Sequence, residues 1–241
     1  MAILCQASGM EKPAQVRPRK DKPPGDKPPG DKPFSAFTRV RRRPLRGIYR
    51  REVIEAILDE APFSHVGHII AGRPVVIPTL HWRLDGAVYW HGNAASRMLC
   101  TNAAGGAVCL TASLFDGWVM ARSGFNHSAN YRSVMCFGTP RPITDPAEKE
   151  AALEGFMARR FPGRWARLHP ASRQELKATI VLTMPLDEAS AKIRTGPPHD
   201  EPEDLAWPIW AGVLPVGLAP GLPEPAPDMP PTVLDSPPAF P

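Results

Sequence analysis

The segment 77–98 constrains the fold of this chain most, because it combines a hairpin signal with the start of a helix. Apolar residues flank the dipeptide Asp85-Gly86, which supplies the positive-φ positions that a tight two-residue turn needs. The second strand then runs into a turn of small residues and a short helix that begins near Ser96 and Arg97. A hydroxyl, a guanidinium and free backbone N–H groups can converge on an anion at such a point. The segment therefore predicts two antiparallel strands that end at an anion site.

Other short runs rich in β-forming residues surround this hairpin, and turn residues separate them. The dipeptide Asp116-Gly117 predicts a second tight hairpin. Strands at this spacing, with two Asp-Gly hairpins, favour an antiparallel barrel or sandwich over a parallel βαβ sheet. The predicted strands are 64–71, 74–82, 87–91, 106–115, 118–123, 131–143 and 178–186.

Three helices are predicted beside these strands. Residues 49–60 place four apolar side chains on one helical face. The clearest helix start is Asp145-Pro146, where an N-cap precedes a proline at the first helical position and Glu148 can close a capping box. A shorter helix is predicted to begin at Ser172 for the same reason. Peripheral helices around a β-barrel give an α+β fold.

Proline is concentrated at the two ends of the chain, which holds 31 prolines among 241 residues. Residues 1–38 repeat Asp-Lys-Pro-Pro-Gly without apolar periodicity, and such a segment cannot offset its chain entropy by burial. We expect a disordered arm over residues 1–44, one folded domain over 45–213 and an irregular Pro-rich tail over 214–241.

The formal net charge of +5 is unevenly distributed, since seven arginines lie between Arg39 and Arg51. This run is compatible with binding to nucleic acid or to a membrane surface. No aromatic residues or nucleic-acid motif accompany it, so a solvated basic segment is the favoured interpretation. Nucleic-acid binding remains the less favoured alternative.

The sequence predicts a cytoplasmic protein without a membrane span. No apolar run approaches the ~18 residues that a span needs, and the N-terminus has no signal-peptide core. The four cysteines show no CxxC spacing, which disfavours a disulfide framework or a zinc site. His65 and His68 point to opposite faces of a predicted strand, so no shared metal site is expected.

Several short segments between Ser64 and Pro215 occur in an order and at a spacing that are typical of one protein family. In that order they resemble the pyridoxamine 5′-phosphate oxidase-like family of flavin-binding split barrels, and within it the branch of nitroimidazole-resistance-type proteins. The segments are 66–68, 76–79, 89–92 with Ser96-Arg97, 128–134 with Gly138, 148–153, 191–194 and 210–215.

The resemblance implies a six-stranded antiparallel split β-barrel of Greek-key type, with FMN held at the interface of a homodimer. The flavin ring is expected along the second strand, whose backbone bonds its pyrimidine edge, and the phosphate is expected at the turn after the third strand. The implied cofactor contacts are Val76, Ile77, Pro78, Thr79, Leu80, Trp90, His91, Ser96, Arg97, Arg132 and Trp210.

The chain departs from the family at the phosphate turn. Family enzymes often present two adjacent basic residues there, whereas Met98 follows Arg97 in this chain. Arg122 or Arg132 is the candidate for the second contact. His91 is the predicted catalytic group, because imidazole can transfer protons near neutral pH, although a phosphate or backbone hydrogen bond is an equally good role for it.

The leading function hypothesis is an FMN-dependent oxidoreductase of a small molecule, with NAD(P)H as a possible electron donor. Specific oxidation of pyridoxamine phosphate is disfavoured, because the Pro-rich tail lacks the basic and aromatic elements that grip that substrate. The alternative is a non-catalytic flavin- or haem-binding module, in which His81 or His91 is an axial haem ligand. These two histidines flank one hairpin and are expected to face each other.

Overall fold

The structure is a computed structural model that describes residues 31–230, 232 and 236–239. These residues form ten strands and four α-helices, with single 3₁₀ turns between some of them. The strands are β1 (Gly47–Ile48), β2 (Phe63–Ile70), β3 (Arg73–Leu84), β4 (Ala87–Asn93), β5 (Val108–Met120), β6 (Ser128–Gly138), β7 (Arg141–Pro142), β8 (Thr179–Pro185), β9 (Ala189–Arg194) and β10 (Gly212–Pro215). The helices are α1 (Arg51–Glu60), α2 (Arg97–Ala103), α3 (Pro146–Arg160) and α4 (Arg173–Ala178).

The strands form one antiparallel sheet in the order β1-β9-β6-β5-β2-β3-β4-β8-β7, and β10 pairs with β5 beside this path. Strand β3 belongs to both halves of the sheet: its residues 73–80 pair with β2, and its residues 81–84 pair with β4. The two ends of the path, β1 and β7, do not pair with each other. The fold is therefore α+β with an antiparallel sheet that is split rather than closed, and the predicted count of six strands is not confirmed.

Local sequence signals place the helices as predicted. Helix α3 begins at Pro146, and a side-chain oxygen of Asp145 accepts a hydrogen bond from the backbone N–H of Glu148. Helix α4 has a complete capping box between Ser172 and Glu175. Each of these contacts satisfies backbone donors that a helix start leaves unpaired.

The two Asp-Gly dipeptides behave differently. Asp85 and Gly86 both have positive φ and form the predicted tight turn between β3 and β4. The hairpin predicted at Asp116-Gly117 is wrong, because β5 continues through it with a bulge against β6. Gly117 has φ 151°, and a Cβ there would lie 2.5 Å from the carbonyl oxygen of Leu214 in β10. Glycine at this position permits a close backbone contact rather than a turn.

The main core fills the space between the sheet and α1. It contains Ile57 and Leu58 from α1 together with Val66, Trp90 and other strand residues, all buried. A second, smaller core lies between β3, β8 and α3 and includes Trp82, Val181 and Ala152. No helix among the described residues is long and apolar enough to cross a lipid bilayer.

Residues on the outer side of the predicted boundaries at 45 and 213 contact the sheet. The segment 31–44 packs on the sheet: Asp31 and Thr38 are buried, and Phe37 contacts Phe137 edge-on. Strand β10 crosses the boundary predicted after residue 213. The greater part of the predicted disordered arm, residues 1–30, lies outside the described residues.

Candidate functional site

The first half of β3 presents a free strand edge. Residues 73–80 pair with β2 on one side only, since β4 joins β3 only from His81 onward. Alternate backbone groups along this stretch therefore have no strand partner. Pro74 and Pro78 lie on it, and proline blocks the addition of another strand to an exposed edge. The stretch can offer backbone hydrogen bonds to a small polar ligand.

The side chains of this stretch alternate between the two faces of the sheet. Val76, Pro78 and Leu80 are exposed on the outer face, and Val76 retains 62% of its accessible surface. Ile77 packs against the main core, and Thr79 points to the same side. Of the five predicted ring contacts on β3, three thus offer side chains on the outer face and the other two offer backbone only.

The turn after β4 leads into α2, as the sequence predicts. Ser96 precedes the helix, and its hydroxyl makes no capping hydrogen bond. The Arg97 side chain is exposed, and no ion-pair partner for it is found within the described residues. Both polar groups are available to an anion such as phosphate.

His91 lies on the outer face of β4 beneath α3. Its ring centroid is 5.6 Å from that of Trp82 and 6.0 Å from that of Phe156. Its Nδ1 is buried without a hydrogen-bond partner in the described structure. Burial lowers the pKa of His91 below its usual value. The imidazole is therefore neutral near pH 7, and its predicted role as a catalytic acid or base stays a prediction.

The two predicted tryptophan contacts have opposite surroundings. Trp90 is fully buried in the main core, and β4 is paired at this residue with β3 on one side and β8 on the other. Trp210 is 63% exposed and precedes β10, where its ring lies close to Gly212. Trp210 is accordingly open to a cofactor or a partner chain, whereas the Trp90 side chain is not.

The arginines suggested as a second phosphate contact are held by carboxylates. Arg132 donates from Nε and Nη2 to Asp116 at 2.8–3.2 Å, and it also binds Glu60 with its Nη2 at 2.7 Å. The hydrogen bond from Arg132 holds the pKa of Glu60 below its usual value. Arg122 pairs with Asp200 at 2.8 Å. A phosphate would have to displace a carboxylate from either arginine, which argues against the role suggested for them.

The histidines considered as metal or haem ligands lie in different environments in the fold. His65 is exposed and His68 is 5% exposed, so the two lie on opposite faces of β2. The expectation that His81 and His91 face each other is wrong, because His81 is paired with Trp90 across the hairpin. The buried His81 Nε2 lies 2.8 Å from the carbonyl oxygen of Leu58, which fixes this ring inside the core.

Two cavities are bounded by residues that are not among the predicted cofactor contacts. The larger, about 540 Å³, is bounded by Trp118, Met120, His127 and Leu214 and is predominantly apolar. The smaller, about 170 Å³, is bounded by Leu58, Asp59, Trp82, Arg159 and Arg160. Each cavity combines residues distant in sequence. The larger includes Ser128 and Leu214, from the family segments 128–134 and 210–215, whereas the smaller includes no residue of those segments.

Family comparison agrees with this architecture. The family model described as pyridoxamine 5′-phosphate oxidase matches residues 50–193, which is more than half of the chain. The chain therefore belongs to the pyridoxamine 5′-phosphate oxidase family.

Solved structures of similar chains extend the match beyond these residues. The flavocytochrome Anf3 from Azotobacter vinelandii is 43% identical, with a TM-score of 0.80 over 83% of this chain and 94% of its own. The FAD and haem binding protein from Mycobacterium smegmatis is 34% identical, with a TM-score of 0.74 over 78% of this chain and 92% of its own. A candidate 5-nitroimidazole antibiotic resistance protein from Bacteroides thetaiotaomicron is 26% identical, with a TM-score of 0.50 over 61% of this chain and 86% of its own. Among curated protein sequences, none is significantly similar to this chain.

Proposed function

We propose that this chain is a homodimeric, flavin-dependent oxidoreductase that acts on a small molecule. The observation that carries the proposal is the 43% identity to a flavocytochrome over 83% of the chain. The free edge and apolar outer face of β3 support it, because a flavin ring has a polar pyrimidine edge and large apolar faces. The flavin is FMN, as the sequence resemblance implies, or FAD, as named for the mycobacterial relative.

A bound flavin supplies hydride or single-electron transfer, and the protein supplies position and hydrogen bonds. Backbone groups along residues 73–80 would meet the polar edge of the ring. Val76 and Leu80 would contact its face. The hydroxyl of Ser96 and the guanidinium of Arg97 would bind the phosphate, since charge-assisted bonds to phosphate are among the strong hydrogen bonds of proteins.

The proposed dimer follows from the outer face of β2 and β3. Phe63, Ile69, Val76 and Leu80 all keep more than a third of their surface exposed on these two strands. A contiguous apolar face of this kind marks an interaction surface, and two-fold homodimers are the commonest soluble assemblies. A second copy would cover this face and shield a flavin lying on it from water.

An absorption spectrum and a mass measurement of the purified protein test the proposal together. We expect flavin absorption in the visible range, bleaching on addition of NADH or NADPH, and twice the 26.3 kDa chain mass by light scattering. Chromatography of the released flavin distinguishes FMN from FAD. A colourless monomer that does not bind added flavin would contradict the proposal.

Replacement of Arg97 by alanine is expected to weaken flavin binding by about ten- to a hundred-fold. The reason is that a charge-assisted bond contributes roughly 1.5–3 kcal/mol, and each 1.4 kcal/mol is ten-fold in affinity. Quenching of flavin fluorescence measures the dissociation constants. Arg41→Ala, an exposed arginine of the basic run, is the matched control and should bind flavin like the parent. Equal affinities of Arg97→Ala and the parent would mean that the turn does not hold the phosphate.

Haem binding in addition to flavin is a second candidate function, and His127 supports it. Its Nδ1 lies 3.0 Å from the carbonyl oxygen of Ser123, so Nδ1–H donates to that oxygen and Nε2 remains free for a metal. His127 borders the apolar cavity of about 540 Å³, a volume within the usual range for cofactor sites. When bound there, haem would supply one-electron redox chemistry, and the Nε2 of His127 would hold its iron.

Reconstitution with haemin tests this second function. We expect the parent to give the sharp Soret band of a histidine-ligated haem and His127→Ala to lose it, because the ligating nitrogen is removed. The exposed histidine variant His199→Ala should match the parent. An unchanged Soret band in His127→Ala would exclude His127 as the ligand and leave the flavin proposal untouched.

A further inference from the structure

We propose that the cavity of about 170 Å³ between the C-terminal ends of α1 and α3 is a binding site for a phosphate group. Its boundary consists of Leu58 and Asp59 from α1, Trp82 from β3, and Arg159 and Arg160 from α3. This site is distinct from the turn at Ser96 and Arg97. Phosphate binding to this site can be measured whether or not the protein binds flavin.

The size of the cavity suits an ion-sized group. At about 30 Å³ per water molecule, it has room for about six waters. Cavities that take whole cofactors are larger, from about 300 Å³ upward. A phosphate group fits the cavity, whereas a flavin ring or a nucleoside does not.

Unused hydrogen-bond donors surround this space. Arg160 donates from Nη1 to the carbonyl oxygen of Asp59 and from Nη2 to that of Ala61, at 3.1 and 3.0 Å. The side chain of Arg159 bonds only the Asp59 carboxylate among the described residues. A guanidinium has five N–H donors, so most of the donors of this pair are free. Trp82 is 2% exposed, and its indole N–H has no partner in the described structure.

The charge balance favours an anion. Asp59 is neutralised by Arg83, whose Nε and Nη2 donate to its two oxygens at 3.0 and 2.8 Å. The Asp59 carboxylate is shared with Arg159, and Arg83 also contacts Glu55. Arg160 bonds only carbonyl oxygens, so its charge has no carboxylate of its own. Arg83, Arg159 and Arg160 carry one more formal charge than Asp59 and Glu55, and Glu55 is also paired with Arg51. The carbonyl ends of α1 and α3 offset part of this positive excess.

The lowered pKa of Arg160 is consistent with an excess of positive charge at the cavity. Burial is the main cause that lowers the pKa of Arg160, and the neighbouring charge of Arg159 lowers it further, against the opposing effect of Asp59. A bound anion would oppose both effects, because its negative charge stabilises the protonated guanidinium. Arginine is well matched to phosphate because its planar donors can form two parallel hydrogen bonds to the oxygens.

The cavity lies next to the outer face of β3, because Trp82 of β3 borders it. Trp82 follows Leu80 by two residues, so both side chains belong to the same face of the strand. A molecule bound along the outer face of β3 could place a phosphate in this cavity. The phosphate can come from a phosphorylated small molecule or from a flavin nucleotide, and the two sources share the same recognition chemistry.

Calorimetric titration of the purified protein with inorganic phosphate tests the site. We expect saturable binding to the parent, weakened about ten-fold or more in Arg160→Gln because a charge-assisted donor is lost. Trp82→Phe keeps an aromatic ring in the second core, though a smaller one, and removes the N–H; it should weaken binding about two- to ten-fold. Arg141→Gln is the matched control, since Arg141 pairs with Glu148 near the opposite end of α3. Thermal unfolding of each variant verifies that it is folded.

The titration results distinguish a phosphate site in this cavity from non-specific anion binding, and they identify the source of the phosphate. No saturable phosphate binding by the parent, or equal weakening in Arg160→Gln and Arg141→Gln, would overturn the proposal. Repeating the titration after saturation with FMN, and separately with FAD, identifies the source. Loss of phosphate binding would mean that the flavin phosphate occupies the cavity, and unchanged binding would mean that another phosphorylated molecule does.

Discussion

Replacement of Trp90 by alanine is expected to lower the free energy of unfolding by about 3–5 kcal/mol, the usual cost of truncating a large buried aromatic side chain. Trp90 is fully buried among the residues of the main core. Removal of the indole leaves a cavity that the surrounding strands can fill only in part. Urea denaturation at a fixed protein concentration measures the loss, since association of copies makes stability depend on concentration.

The same variant separates two roles for Trp90. Phe125→Ala serves as the control, because Phe125 is 96% exposed and its removal should change stability by no more than about 0.5 kcal/mol. A small stability loss in Trp90→Ala, together with weakened flavin binding, would support the sequence-based prediction that Trp90 contacts the cofactor. A large stability loss would identify it as a core residue.

Acidification is expected to destabilise the protein through His81, by on the order of 3 kcal/mol between pH 7 and pH 4. Burial is the main cause that lowers the pKa of His81 from 6.5 to about 4, and its hydrogen bond with the backbone of Leu58 opposes this shift only in part. One pKa unit corresponds to 1.36 kcal/mol of difference between the two protonation states. The buried imidazole therefore stays neutral over a range in which the unfolded chain takes up a proton.

The direction of the effect follows from proton binding. Between pH 6.5 and pH 4 the unfolded state binds a proton at His81 that the folded state does not, so protons favour unfolding. The contribution of His81 is complete above about pH 6.5 and is lost as the pH falls toward 4. Burial also lowers the pKa of His91, which adds an effect of the same sign.

Urea unfolding at pH 7.5 and pH 4.5 isolates the contribution of His81. The stability difference between the two pH values should be smaller in His81→Gln than in the parent, because glutamine does not titrate. His199→Gln should keep the pH dependence of the parent, since His199 is exposed. An identical pH dependence in His81→Gln and the parent would show that His81 binds protons equally in the folded and unfolded states, so that burial does not lower its pKa.

The candidate site was predictable where a contact lies within a few residues along the chain. The family resemblance implies a ligand along β3, and the end of a hairpin indicates an anion site at the Ser96-Arg97 turn; both are exposed in the fold. The roles suggested for Arg122 and Arg132 were not predictable, because their carboxylate partners come from other parts of the fold. Glu60, for example, is 72 residues from Arg132 in sequence.

Elements with local signals can be predicted from the sequence alone. The N-cap at Asp145, the capping box of Ser172 with Glu175 and the turn at Asp85-Gly86 all form as predicted, since each satisfies backbone groups within four residues. Together with the family pattern they specify an α+β fold with an antiparallel sheet.

Some residues suit two different roles, and long-range contacts in the fold select between those roles. Gly117 suits a hairpin or a bulge equally well, and the pairing of β10 with β5 selects the bulge. Arg159 and Arg160 at the end of α3 match an ordinary favourable interaction with the helix dipole. They border a cavity only because α1 and β3 bring Asp59 and Trp82 beside them. A long-range contact depends on which elements pack together, and the residues on either side of a position do not encode that choice.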